Sequence, residues 1–257
     1  MRKIILLLLA FFVLACNAFT EDKKKEKKES KKNSAEAASN DNSAFTVVAQ
    51  MPKKLKEISG IAKDGNFIWA ISDNPKSDIF KLDLSGNVVQ QLSMKNITVT
   101  DVEDVTADAD YLYVADVGDN DGSRGKRQII KIKKADIGTG EKVDVDGEII
   151  RFSFPAQGDM QKKNKNENDC EALINFKDAL YLFTKRRNDL QTELFMLSKR
   201  AGNQVPKSSA MFNSKGLITG ASINSEGNEV ALVAYQHGHK QPFIWTLTGF
   251  SGDNFFS

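Results

Sequence analysis

Acidic residues recur in this chain at spacings suited to holding a hard cation. Asp101 and Glu103 stand two apart at the start of a strand-like run, and Asp169 and Glu171 repeat the arrangement. By the two-residue period of a strand, Asp101, Glu103 and Val105 share one face, as do Asp169, Glu171 and Leu173. With the two runs side by side, Glu103 and Glu171 converge, with Asp104 nearby. Carboxylates gathered with backbone carbonyls and water suit Ca²⁺, which takes about six to eight oxygen ligands. Asp116 and Asp119 form a second acidic group, in the run from Ala115 to Gly122. That run lacks the ligand spacing and the terminal Glu of an EF-hand, and turn chemistry accounts for Gly118-Asp119-Asn120. The candidate metal ligands are therefore Asp101, Glu103, Asp169, Glu171, Asp116 and Asp119. A structural reading competes with the metal. Acids on inner strands accept backbone N–H groups or pair with Lys185 or Arg127, because like charges brought together need a cation of some kind.

Other chemistry is sparse, and no residue is assigned a catalytic role. Ser59 precedes a glycine but has no histidine near it in sequence, and no nucleophile elbow, HExxH, P-loop or dinucleotide fingerprint occurs. His237-Gly238-His239 reads as a polar turn between strands. Cys170 lies far from either histidine, so it lacks the base a catalytic thiol needs and reads as a small buried strand residue. Arg127, Lys185, Arg186 and Arg187 supply part of the basic cluster that a phosphate-handling enzyme requires.

These residues sit on short strands separated by turn signals. A first set runs 57–62, 67–72, 78–84 and 88–94. A second runs 101–106, 111–117, 127–133 and 148–154. A third runs 169–175, 179–185 and 192–198, with an ill-defined strand near Ala210. The last is 217–224, 229–235 and 242–248. Ile61 and Trp69, Val105 and Tyr113, and Leu173 and Tyr181 are each eight apart, an aliphatic residue followed by an aromatic. A repeated offset between first and second strands points to a β-propeller rather than to a sandwich of unrelated hairpins. Trp69, Tyr113, Tyr181 and Trp245 then read as blade core. The strand 45–51 is expected to close the ring in the last blade. Because the fourth set stops after its third strand, the sequence reading is an all-β propeller of five or six blades when complete, missing its C-terminal repeat.

The ends suggest an address. Arg2 and Lys3 precede the apolar run 4–13, which is too short for a comfortable membrane span. Val13-Leu14-Ala15-Cys16 is similar to a bacterial lipobox, which implies cleavage of residues 1–15 and lipid on Cys16. Asn17 rather than Asp after that cysteine resembles outer-membrane sorting in a Gram-negative cell. Residues 16–44 carry the lipidated Cys and a Lys/Glu/Ser tether, too poor in apolar side chains to offset the cost of ordering. The propeller domain occupies 45–257. The formal net charge of +2 resides in Arg2 and Lys3, so the rest is balanced and nothing demands a nucleic-acid partner. With Cys16 lipidated, Cys170 has no intrachain disulfide partner.

One resemblance spans roughly residues 57–257. It rests on EDVTADADYLYVADVGDN, on a basic residue before IIKI, on DCEALINFKDALYLFTK, and on LITGASINSEGNEVALVAY with PFIWTL. These runs resemble the SdiA-regulated bacterial lipoproteins and the phytase-like, "esterase-like" propellers of the TolB-like superfold. The resemblance implies a propeller with acids near its central channel, where some related propellers bind Ca²⁺. It also implies that relatives continue past this C-terminus. The function expected is a lipid-anchored, monomeric binding module of the cell envelope, partnered by the membrane and by an envelope protein or glycan. The alternative is a metal-dependent phosphoester or ester hydrolase, in which Ca²⁺ would polarise the ester.

Overall fold

A computed structural model describes residues 46–53, 55–73, 77–154, 167–238 and 240–257. The leader, the tether, Cys16, Phe45, Asn74, Pro75 and His239 lie outside the described residues. Among the described residues, everything regular is β except one short 3-10 turn.

The first blade contains β1 (Ile58–Asp64), β2 (Phe67–Ser72), β3 (Ile79–Asp83) and β4 (Val88–Met94). The second contains β5 (Val102–Ala107), β6 (Tyr111–Asp116) and β7 (Arg127–Lys133), then β8 (Lys142–Val145) and β9 (Glu148–Phe152). The third holds β10 (Cys170–Phe176), β11 (Ala179–Thr184), β12 (Thr192–Ser198), β13 (Gly202–Gln204) and β14 (Lys207–Phe212). The fourth holds β15 (Leu217–Ile223), β16 (Glu229–Gln236) and β17 (Lys240–Thr248). Each blade is an antiparallel meander, and β1, β5, β10 and β15 lie side by side as its inner strands. The described residues thus form a four-bladed β-propeller.

Two strands depart from the meander. β8 leaves the second blade and pairs in parallel with β4 of the first, while β13 leaves the third and pairs in parallel with β9 of the second. Each is drawn from the connection between a blade's third and fourth strands, and each covers the outer edge of the preceding blade. That removes the row of unpaired backbone groups an edge strand exposes.

The core is a stack of inter-blade layers. Trp69, Ile71 and Leu92 of the first blade meet Val102, Val105 and Ile130 of the second. Tyr113, Ile129 and Phe152 meet Leu173, Leu182 and Phe195. Phe176, Tyr181 and Phe183 meet Ile218, Val230 and Leu232, with Phe255 among them. The aromatics at the repeated offset are blade core, with Trp69 and Tyr113 almost fully buried.

Three details of the sequence reading change. Residues 46–51 form no strand; Met51, with Leu55, instead packs on Ile68, Ala70, Phe80 and Leu82, the face of the first blade turned away from the second. The fourth strand of the third blade is well formed as β14. The simple alternation along the inner strands also fails. Each carries a bulge at the same place, and the extra residues are Ser59, Glu103, Glu171 and Thr219. A bulge places two residues opposite one and resets the faces. Val102 therefore joins Val105 in one core layer, and Cys170 joins Leu173 in another.

Candidate functional site

The bulges place the acids. The inner strands all start at the same end of the propeller, so each bulge re-aims a residue near that end. Glu103 and Glu171 come close enough to repel, and Asp101 and Asp169 add to the field. Burial first, then these neighbours, holds the Glu103 carboxyl well above the usual range, with Lys185 opposing. Asp101 shifts upward by burial and by Asp169, and hydrogen-bonds Glu103. The two carboxyls close on Gly118, where an added Cβ would lie under 3.0 Å from Glu103 Oε1 and Asp101 Oδ2. Asp73, from the first blade, is pushed up to about 6 by burial and then by Asp101 and Glu57. Ser59, at the equivalent bulge, has a buried hydroxyl with no hydrogen-bond partner among the described residues.

Asp104 does something else. Its side chain is buried and accepts the Val105 and Leu173 N–H groups at 2.8 Å each. A Cβ on Gly60 would strike it. It is a clasp where β1, β5 and β10 meet, and burial holds its carboxyl well above the ordinary aspartate range.

The remaining acids each meet a cation, and Glu171 also has Arg187 Nη2 at 3.9 Å. Arg124 Nη2 lies 2.9 Å from Asp116 Oδ1, and Arg127 Nη2 lies 2.5 Å from Asp119 Oδ2. Arg187 Nη1 bonds Asp169 Oδ2, and Lys185 Nζ lies 2.6 Å from Glu171 Oε1. Backbone donors occupy the other positions. Asp116 Oδ1 also accepts the Thr100 and Asp101 N–H groups, and its Oδ2 accepts Gln128 Nε2. Asp119 Oδ1 accepts the Ser123 and Arg124 N–H groups, and Asp169 Oδ1 accepts the Asp119 N–H. The last of these ties the second blade to the third. Of the two cations weighed from sequence as partners for the inner-strand acids, Lys185 pairs with Glu171, and Arg127 serves Asp119.

Protein donors already occupy much of this acid set. Both oxygens of Asp116, Asp119 and Asp169 already accept protein donors, Glu171 is held by Lys185, and Asp101 and Glu103 are bonded to each other. Among the described residues, no three His, Cys, Asp or Glu side chains are grouped to hold a metal ion. Cys170 is fully buried, its Sγ is 3.5 Å from the Asn168 carbonyl, and burial pushes its thiol up.

Next to this network a cavity of about 490 Å³ opens at the same end of the propeller. Asn120 reaches it from the second blade and Lys185 and Arg187 from the third. Leu217, Tyr235, His237 and Gly238 complete it from the fourth. Arg187 Nη2 bonds Asn120 Oδ1 at 2.6 Å, and Lys185 bonds the Tyr235 hydroxyl as well as Glu171. Burial opposes charge on Lys185, but Glu171 and Tyr235 prevail and raise its pKa; Asp169 and Glu171 do the same for Arg187. Both side chains are held as cations. Leu217, Tyr235 and Arg124 were not singled out from sequence, and nothing there joined Asn120, Arg187 and His237 at one site. One signal could have joined them. Residues just after a second strand and just before a first strand all fall at this end, so Asn120, Arg187 and His237 occupy equivalent places.

A meander of blades with inner-strand acids closed by cations defines the class, a β-propeller with a polar network at one end. No family model matches the chain, and no curated protein matches it. Solved structures share the architecture loosely. The computationally designed Ika4 protein is 12% identical, with 78% of this chain and 98% of that one covered, at a TM-score of 0.38. The Cps50 (Swd1) β-propeller domain of Myceliophteria thermophila is 13% identical over 77% of this chain and 54% of that one, TM-score 0.40. An exo-beta-1,3-galactanase from Phanerochaete chrysosporium is 12% identical over 76% and 47%, TM-score 0.45. The chain spans about half the length of these two natural proteins. Likeness at this level concerns architecture and nothing about ligands.

Proposed function

We propose that this chain is a binding module of the bacterial cell envelope that engages its ligand at the propeller end carrying Asn120, Lys185, Arg187, Tyr235 and His237. The observation that carries the reading is the cavity itself. It sits where three blades meet, it is walled by polar side chains fixed by a buried ion-pair network, and its volume of about 490 Å³ is in the usual range of small-ligand sites. Preformed walls lower the ordering cost of binding. Backbone NMR of the folded protein against a library of small polar compounds tests it. Shifts should cluster at residues 118–120, 185–187 and 235–238. Shifts confined to the other end of the propeller, or no shifts with any compound, would remove the support for this end as the binding surface.

The address belongs to the same proposal. The lipobox-like Val13-Leu14-Ala15-Cys16 after a basic n-region, and the polar tether 17–44, support a lipid anchor on Cys16. So does the resemblance to SdiA-regulated lipoproteins. In a Gram-negative cell Asn17 favours the outer membrane. Palmitate labelling of the full chain should be lost in Cys16→Ser, and labelling that persists in that variant would sink the anchor.

A further inference from the structure

We infer that the cavity where the second, third and fourth blades meet takes a small organic acid, bound through a single carboxylate. The inference rests on the binding role proposed above. Its ground is the arrangement of charge in the cavity wall. Lys185 and Arg187 line the cavity, whereas the carboxylates that fix them, Glu171 and Asp169, are not among its lining residues. Asp169 is fully buried. Among the described residues, no acidic side chain lines the cavity. A network that is neutral as a whole therefore turns its positive side to the ligand.

The donors support an oxyanion. Arg187 gives one N–H from Nη1 to Asp169 and one from Nη2 to Asn120, and each terminal guanidinium nitrogen carries a second N–H. Lys185 bonds Glu171 and the Tyr235 hydroxyl and has a third donor. Both cations are preorganised by charge-assisted bonds behind them, and such bonds are the strong ones for carboxylate recognition. Leu217 and the Tyr235 ring form an apolar wall for the body of the acid, with the Lys185 ammonium 5.5 Å from that ring centroid.

Charge decides between a carboxylate and a phosphate ester. Lys185 and Arg187 are already balanced by Glu171 and Asp169, and the Asp101–Glu103 pair stands close by. A dianion would meet twice the repulsion from these acids that a single carboxylate meets, with no uncompensated cation to offset it.

Calorimetry on the detergent-solubilised full chain with 3-phenylpropionate, 3-phenylpropionamide and phenyl phosphate tests the inference. The carboxylate should bind about tenfold or more tightly than the amide or the phosphate ester. Exposed His237 lines the cavity without holding the buried pairs, so His237→Glu adds a negative wall charge and leaves those pairs intact. It should lower carboxylate affinity about tenfold with the thermal midpoint unchanged. Equal affinity for acid and amide would overturn the anion while leaving the cavity as a binding site. Tighter binding of phenyl phosphate would overturn the single-carboxylate assignment. If no carboxylate in a wider panel binds, the inference falls, and the proposed binding surface falls with it only if other compounds also leave the amides of residues 185–187 and 235–238 unshifted.

Discussion

At the scale of single residues, the end of the propeller is tuned by close approach and by a proton. Gly118 is glycine because two carboxyls lean on it, and it has no positive φ to explain it otherwise. Gly118→Ala should drive Asp101 and Glu103 apart and cost about 1–3 kcal/mol, the usual range for overpacking. Urea midpoints of variant and parent measure it, and an unchanged midpoint would show that the carboxyls relax freely. Glu103 makes the complementary case. Its folded-state pKa is raised, so the folded chain binds the proton more tightly than the unfolded chain. Its contribution to stability is present at low pH and is lost as pH rises past the ordinary glutamate value of 4.5. Glu103→Gln has no charge to desolvate. Its stability relative to the parent should therefore grow as pH rises above the ordinary glutamate value, and parallel pH profiles would contradict the assignment. The sequence showed that Glu103 and Glu171 belonged together, because acids two apart recur before similar strands. It did not show why, since alternation placed them on the face of Val105 and Leu173. A bulge leaves no mark in the pattern beyond two acids in succession, Glu103-Asp104, one bound for the channel and one for the clasp at Leu173.

At the scale of elements, strands with a continuous apolar run were legible. β2, β6 and β11 read as FIWAIS, YLYVAD and ALYLFT, and their positions follow from sequence alone. The lacing strands were not. β8 reads Lys-Val-Asp-Val and β13 reads Gly-Asn-Gln, too short to show a period. Their place is set by the edge they cover, which lies in another blade. β8 is held by Gln91 N–H to Glu141 O at 2.8 Å and by Lys95 N–H to Val145 O at 3.1 Å. Gln90 Nε2 donates to the Gly138 and Gly140 carbonyls beside it. The Lys95–Asp144 pair is largely exposed and contributes little. Val143→Pro removes a ladder donor and disturbs the packing of Val143 on the seam between the first two blades. It should raise hydrogen exchange at Gln91 and Lys95 while leaving the amides of β11 protected. Faster exchange throughout would mean that β8 holds the whole fold rather than one seam.

At the scale of the molecule, the blades are joined by three apolar layers. Among the described residues none of these layers joins the fourth blade to the first. The fourth blade is therefore held mainly from one side, through the layer it shares with the third. Phe255 is the central side chain of that layer outside the strands. Its ring centroid lies 5.4 Å from Phe176, 5.1 Å from Tyr181 and 5.0 Å from Phe250, in edge-to-face contacts. Nearby, the Tyr181 hydroxyl bonds Asp253 at 2.9 Å, and Phe256 stacks on Phe212. Phe255→Ala should cost about 3–5 kcal/mol, the range for emptying a buried phenylalanine site. The loss should not be shared evenly. The layers between the first three blades do not contain Phe255, so β5, β6 and β7 should keep their exchange protection while β15, β16 and β17 lose theirs first. Leu217, Tyr235, His237 and Gly238 come from the loosened blade and wall the candidate cavity. A substitution remote from the ion pairs at the other end of the same blade should then weaken carboxylate binding, although Lys185 and Arg187 keep their partners. Uniform loss of protection across all blades, with cavity affinity falling only in step with global stability, would show instead that the propeller unfolds as one unit and that its fourth blade has no independence.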